Sequence, residues 1–488
     1  ERAYAASPPA KRFRHEHETS LCLPAPPDYC GVLGRELDAT SFDVDARNDR
    51  SALAHPPRWR ALGAIEPGLE ETPAVAHARL RESRRLVERL GPLSGGRIQS
   101  ARFAAALFTS WQLHAKFMHS CATIETATDQ FLSGLVEDFV AERLRERDLS
   151  ESEARSVAAA WARAAEEAAA RVHALLPATG ENWSDGSMRV SLHEVADRPR
   201  EAVVVSWVPP AGRRSVSRVL RRDRFDLLRA AYASRGHDLR KLATRLFVAL
   251  LRVECMSLHS AVEGEQGALL PEVFAVLGAR FGVRFECFAS PFNASAAALA
   301  HGGGFASAHP DADRFFGGSG QWWEIEPLEG SFELNPPFAL HAELVIDHVV
   351  RALETSCGVS VPRPLSFLVT LPRHAFDARA ADETVRPWIT RRLVLAKGDH
   401  MYLRGMRHRL GDEQESRWRA SKDTVLLFLQ NPAGARLWPT TGSVGDAAIA
   451  ELVGAFCARS HERAPPPPPV TAPPPGTQLP LPAAAQPP

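Results

Sequence analysis

From 72 to 176 apolar residues recur at three- and four-residue spacing, most regularly over 75–90 and 98–115, which predicts amphipathic helices. Ser150-Glu151-Ser152-Glu153 makes a capping box ahead of the alanine-rich run that ends at 176. The period then shortens. Residues 188–192 alternate and 202–208 run apolar until Pro209-Pro210, predicting two short strands. Helical spacing returns over 216–233 and 238–255. From 271 strand and helix signals alternate: helix 271–280, strand 283–289, helix 293–300, loop 301–321, and strands near 322–326 and 331–334. Helix 340–354, strand 365–371, strand 424–429 and helix 447–460 follow. This order predicts an α/β fold with a mostly parallel sheet and helices on both sides.

The two ends read differently. Residues 1–72 are rich in Pro, Arg and His and read as extension or loop with short docking strands. Lys11-Arg12-Phe13-Arg14 is a short basic stretch, read as a solvated tail before a nuclear address. The proline-rich tail 463–488 reads as polyproline II or a disordered terminus, with an SH3 or WW partner as the functional alternative. The expected organisation is an extended segment 1–72, a mainly helical domain with a small β element over 73–260, an α/β domain over 261–462, and the tail.

Composition narrows the function classes. Lys+Arg and Asp+Glu are both 58 in 488 residues, so any nucleic-acid surface must be a local patch. The candidates are Arg213, Arg214, Arg218, Arg221, Arg222, Arg224 and Arg229, then Arg240, Arg245 and Arg252 on the next helix. Packing and surface ion pairs are the competing reading for all of them. No run of 18 or more apolar residues exists, so no membrane-spanning helix is expected, and the opening residues show no apolar signal-peptide core. Seven scattered cysteines without a Cys-x-x-Cys pair argue for a reducing compartment and against structural zinc. His114 and Cys121 share a helix face, but a core face explains them better than a metal, and no metal is expected. His301-Gly302-Gly303-Gly304 lacks the Gly-x-Ser-x-Gly partner of a hydrolase and reads as a flexible insertion.

The sharpest chemistry lies in Asn335-Pro336-Pro337-Phe338, after a short apolar strand that the two prolines end. An asparagine at a strand's carboxyl edge sits where open α/β sheets bind ligands. Its amide oxygen can accept one N–H of an exocyclic amine while a neighbouring carbonyl accepts the other. Phe338 then offers a face on which a base can stack. Upstream, Phe285-Glu286-Cys287-Phe288-Ala289-Ser290-Pro291-Phe292-Asn293 reads as a strand running into a turn, the place where a doubly wound fold receives its cofactor.

These stretches resemble the phosphorylated CTD-interacting factor family, cap-specific adenosine N6-methyltransferases of messenger RNA. The resemblance extends through Pro310-Asp311-x-Asp313, Gly330-Ser331-Phe332-Glu333-x-Asn335-Pro336-Pro337-Phe338, Pro364-Leu365-Ser366-Phe367, His400-x-Tyr402-x-x-Gly405-x-x-His408 and Thr424 to Asn431. It covers 239–439. It implies a Rossmann-like methyltransferase domain that uses S-adenosylmethionine, with capped RNA as partner and the nucleus as location. It also implies a cofactor site made of Glu286, Ala289, Ser290, Pro291, Asn293 and Asp313, with Glu286 neutralising the donor's positive end. His400, Tyr402 and His408 would touch RNA or pack a loop. A DNA or internal RNA adenine methyltransferase, or an inactive RNA-binding relative, are the alternatives. No tryptophan pair of WW type occurs near the amino terminus, where Trp59 stands alone, so no WW domain and no binding to phosphorylated polymerase tail are expected.

Overall fold

The computed structural model describes residues 33–36, 57–61, 71–119, 136–175, 189–195, 201–209, 214–258, 267–300, 302–337, 342–358, 362–377, 383–404 and 417–457. The expectations for the remainder of 1–72 and for the proline-rich tail lie outside these residues. The chain opens with β1 (Leu33–Glu36), β2 (Arg58–Ala61), α1 (Pro73–Leu93), α2 (Ala101–His119), α3 (Val136–Arg145) and α4 (Glu151–His173). β3 (Val190–Val195), β4 (Ala202–Trp207), β5 (Val216–Arg221), α5 (Arg222–Ser234) and α6 (Leu242–Cys255) follow. The second half runs α7 (Pro271–Phe281), β6 (Val283–Glu286), α8 (Ala296–Leu299), β7 (Gly304–Phe305), α9 (Pro310–Asp313), β8 (Ile325–Leu334) and α10 (Ala342–Cys357). It ends with β9 (Leu365–Pro372), α11 (Arg373–Asp377), β10 (Ile389–Leu395), β11 (Met401–Leu403), β12 (Arg417–Arg419), β13 (Thr424–Gln430), α12 (Pro432–Leu437) and α13 (Gly442–Cys457).

The helices begin where the chain carries caps. Thr72 Oγ1 accepts the Val75 N–H ahead of Pro73. At α4 the capping box forms in full: Glu153 N–H donates to Ser150 Oγ, and Ser150 N–H donates to the Glu153 carboxylate at 2.9 Å. Trp111 and Trp161 pack with ring centres 5.5 Å apart, and Trp161 Nε1 donates to the Leu86 carbonyl at 2.8 Å. Their core continues into Val203 and Trp207 of the small sheet, then into Phe292, Leu299, Phe305 and Phe316. That sheet is antiparallel in the order β1-β3-β4-β5. Here the helix expected over 216–233 divides in two, because 216–221 pairs with the buried strand β4 before α5 begins. Pairing with a buried neighbour outweighs the helical spacing of Val216, Val219 and Leu220.

The large sheet has the order β10-β13-β9-β8-β6-β7, and β2 also pairs with β8. β7, β6, β8 and β9 are parallel, while β13 and β10 add antiparallel strands at one edge. α10 packs on one face over Phe332, Leu334 and Phe367, and α7 and α13 cover the other over Leu368, Leu426 and Phe428. The expected mixed α/β fold with a parallel-strand sheet is therefore observed. The two strands expected near 322–326 and 331–334 are one strand, β8, whose first half pairs with β2 and whose second half pairs with β6 and β9. Gly330 stands at the change of partner with φ +119°, and a Cβ there would lie 2.6 Å from Pro57 Cα.

The glycine run is not a flexible insertion. Gly304 begins β7, and the rings of Phe285 and Trp59 lie 3.0 Å from where its Cβ would stand. Among the described residues no helix is long and apolar enough to cross a membrane.

Candidate active site at the strand ends

β8 delivers Asn335 to the carboxyl edge of the sheet, where Pro336 and Pro337 end the ladder. Asn335 Nδ2 donates to the Gly267 carbonyl at 2.9 Å. That bond fixes the amide plane and leaves Oδ1 as the acceptor. Asn335 and Pro337 line a cleft together with Ala289, Ser290, Asn293 and Asp313. Phe338 lies outside the described residues.

The turn after β6 is built by its own side chains. Ser290 N–H and Oγ–H both donate to Asn293 Oδ1, at 2.6 and 2.9 Å, and Ala289 N–H donates to the Ala306 carbonyl. Asn293 thus shapes the turn, as Asn does through side-chain to backbone bonds. Pro291 takes part through its carbonyl, which accepts from the Arg224 guanidinium at 2.9 Å. Glu286 is buried behind the cleft. Its Oε1 accepts the Ser295 N–H at 2.6 Å, just ahead of α8. Glu286, expected at the cofactor, is not among the residues that line the cleft, and this bond makes it part of the wall behind.

Glu333 sits beside Glu286 in the β6–β8 register, 1% exposed, and its Oε1 has no hydrogen-bond partner. Burial, then the Glu286 charge, push its carboxyl well above the ordinary range. Burial together with Glu333 and Glu286 also pushes the Cys287 thiol well up. Cys287 lines the cleft with its thiol held in the protonated form.

The opposite wall comes from the helical part of the chain. Thr109 and Leu113 of α2 and Val253 and Met256 at the end of α6 line the same cleft. Thr109 Oγ1 donates to the Met256 carbonyl at 3.2 Å, tying these two elements. Sequence reasoning missed these residues, and also Gly267, Trp322 and Trp323. Their spacing carries no motif. The double tryptophan was the one signal that could have marked them.

The candidate arginines are mostly engaged elsewhere. Arg218 pairs with Glu254 at 2.6 Å, Arg221 with Asp223 at 2.6 Å, Arg222 with Asp226 at 3.3 Å and Arg240 with Asp238 at 2.9 Å. Arg245 stacks over Phe315 at 3.7 Å, and Arg229 is buried. Arg252 is fully buried between Glu71 at 3.5 Å and Asp311 at 3.4 Å. Arg214 is exposed, while Arg213 and His408 lie outside the described residues. His400 and Tyr402 both bond Thr424 Oγ1 in the core, at 2.8 and 2.9 Å. Burial lowers His400 and raises the Tyr402 hydroxyl. Burial in the core favours the packing alternative over RNA contact for Arg252, His400 and Tyr402, and the latter two share Thr424 Oγ1. The metal reading of His114 also has a packing counterpart, its ring stacking on Phe139 at 4.7 Å, while Cys121 lies outside the described residues.

The fold and site define an α/β protein whose strand-end cleft carries an amide and a proline shelf. A family model described as "Phosphorylated CTD interacting factor 1 WW domain" matches residues 226–405. Two curated proteins named "mRNA (2'-O-methyladenosine-N(6)-)-methyltransferase" are also similar. The Homo sapiens protein is 35% identical and the Mus musculus protein 34% identical over 231 residues. The alignment covers 44% of this chain and 30% of each relative, so the chain spans under a third of their length. Over residues 226–405 the chain is similar to the phosphorylated CTD interacting factor family. The expectation that no WW domain would be seen is not borne out, since the matching description names one. That expectation looked for a tryptophan pair near the amino terminus, whereas the match runs from α5 to β11 and includes Trp322, Trp323 and Trp388.

Proposed function

We propose that the chain transfers a methyl group from S-adenosylmethionine to N6 of adenosine in RNA, at the cap-adjacent first transcribed adenosine. The observation that carries this reading is the single cleft in which Asn335 and Pro337 meet Ala289, Ser290, Asn293 and Asp313. A helical domain over 73–260 and a Rossmann-like methyltransferase domain over 261–462 would then share the cleft, with the base entering between them.

The residues present suit the cofactor. Asp313 supplies a carboxylate suited to ribose hydroxyls, and Ala289 and Ser290 border the strand end where a nucleotide's polar groups are held. When bound, S-adenosylmethionine supplies an electrophilic methyl group on a sulfonium. Asn335 Oδ1 accepts one N–H of the adenine amine, and a carbonyl of the proline pair accepts the other. Both bonds turn the nitrogen lone pair out of conjugation and toward the methyl carbon. No residue need act as general base, because methylation makes the amine acidic enough to lose a proton to water. The rate enhancement then comes from alignment and from an amide already fixed by Gly267.

The relatives' printed name points to 2'-O-methyladenosine in mRNA. The test is a methyl-transfer assay on capped RNA beginning with adenosine or 2'-O-methyladenosine, the same RNA uncapped, and single-stranded DNA. Capped RNA should react fastest. Equal rates with and without the cap, or a preference for DNA, would remove the cap reading and leave adenine methylation. Asn335→Ala should lose on the order of a hundredfold in rate while keeping its fold and its cofactor. Near-normal turnover in that variant would sink the assignment.

A further inference from the structure

The arginines of α5 and α6 point to a role inside the protein. Arg224 lies in the first turn of α5 and is 4% exposed. Its guanidinium donates from Nε to the Pro291 carbonyl at 2.9 Å and from Nη2 to the Ala294 carbonyl at 2.8 Å. Those two carbonyls bracket Asn293, whose Oδ1 holds Ser290, and Ser290 and Asn293 line the cleft. Just past the end of α5, Arg235 donates from Nη1 to the Leu299 carbonyl at 3.1 Å. Arg252 of α6 reaches Asp311 at 3.4 Å, behind Asp313 on the neighbouring wall. Each contact joins the helical part to the segment that follows β6 or β7: the 291–294 turn, the end of α8, and α9. A planar guanidinium can bind two carbonyls in one fixed geometry, which a lysine cannot reproduce.

We propose that Arg224 is a positioning residue, which sets the Ser290–Asn293 turn so that the cleft is shaped for the methyl donor before the donor arrives. This rests on the reading of the cleft as a methyl-donor site. Arg224 touches neither ligand and acts through the turn. Its loss leaves the Pro291 and Ala294 carbonyls without their donor, and the turn drifts from the shape the donor needs. Pre-organisation governs affinity, so the effect falls on donor binding. The RNA side of the cleft, built on Asn335 and Gly267, is anchored separately.

The experiment measures S-adenosylhomocysteine binding by calorimetry in the whole chain for wild type, Arg224→Met, Arg224→Lys and Arg224→Ala, with the exposed Arg155→Met as control. Arg224→Met should weaken S-adenosylhomocysteine at least tenfold and raise the KM for the methyl donor in step. The KM for RNA and kcat at saturating donor should stay within about twofold. Arg224→Lys should recover part of the loss, and ethylguanidinium should restore binding in Arg224→Ala. A merely structural arginine would lower melting temperature and activity without this split and without rescue, and that result overturns the proposal. Unchanged affinity in Arg224→Met also overturns it. A wild-type chain that fails to bind S-adenosylhomocysteine overturns the donor-site reading and this inference with it, whereas a binding wild type with equal variants removes the positioning role alone.

Discussion

Glu333→Gln isolates a buried charge problem within the strand that carries Asn335. Glu333 is 1% exposed, its Oε1 has no hydrogen-bond partner, and Glu286 lies next to it across the parallel register. Burial is the larger cause holding its carboxyl neutral well above the ordinary range, and Glu286 adds to it. In the unfolded chain the same group titrates near about 4.3. Between that pH and the folded value the native state keeps a proton that the unfolded chain releases. Stability therefore falls as pH rises through this window, and below it the group contributes no slope. Each pH unit inside the window costs wild type about 1.4 kcal/mol. Glutamine keeps the shape and cannot ionise, so Glu333→Gln lacks that slope. Any hydrogen bond changed by the swap adds an offset that does not vary with pH. Urea unfolding from about pH 5 to pH 8 reads the difference. The variant should gain on wild type by about 1.4 kcal/mol per pH unit until the folded value is reached. A difference that stays flat, or one in which wild type gains with rising pH, would refute a buried neutral acid at this position.

Two further outcomes check the scaffold. Gly330→Ala forces a Cβ to within 2.6 Å of Pro57 Cα at φ +119°, so it should lose about 1–3 kcal/mol, read by urea unfolding. Ser150→Ala removes one half of the capping box at α4 and should cost about 1 kcal/mol, while Ser150→Thr should keep most of it.

What the sequence revealed depended on how local the determinants were. The capping box at Ser150, the long helices between 73 and 173, and the strands at 365–372 and 424–430 are set by nearby residues and were legible. β5 was not, because its strand state comes from pairing with β4. β10 was missed for the same reason, since it forms only against β13 and leaves Val394 exposed. The cleft was legible where chain neighbours build it, at Ala289, Ser290, Asn293 and the Asn335 shelf. The far wall was not, because Thr109, Met256 and Trp322 come together only in the folded chain. The arginines show the converse error. A cluster of like charges in sequence looks like a surface patch, yet Arg224 and Arg252 point inward, where carbonyls and carboxylates from distant loops await them.

The choice of an amide at 335 follows from its neighbours. The Gly267 carbonyl needs a donor, and Asn335 Nδ2 provides it at 2.9 Å. An aspartate in its place would set a carboxylate oxygen against that carbonyl and lose the bond. It would also put a third acid at the end of a strand where Glu286 and Glu333 already crowd, with Glu333 kept neutral by burial and by Glu286. A further negative charge there would raise the pKa of the crowded carboxyls, and the bond to Gly267 would then form only in the protonated state and come and go with pH. Asparagine avoids both costs. One side of its amide is spent on Gly267, and the other remains an acceptor at every pH at which the protein folds.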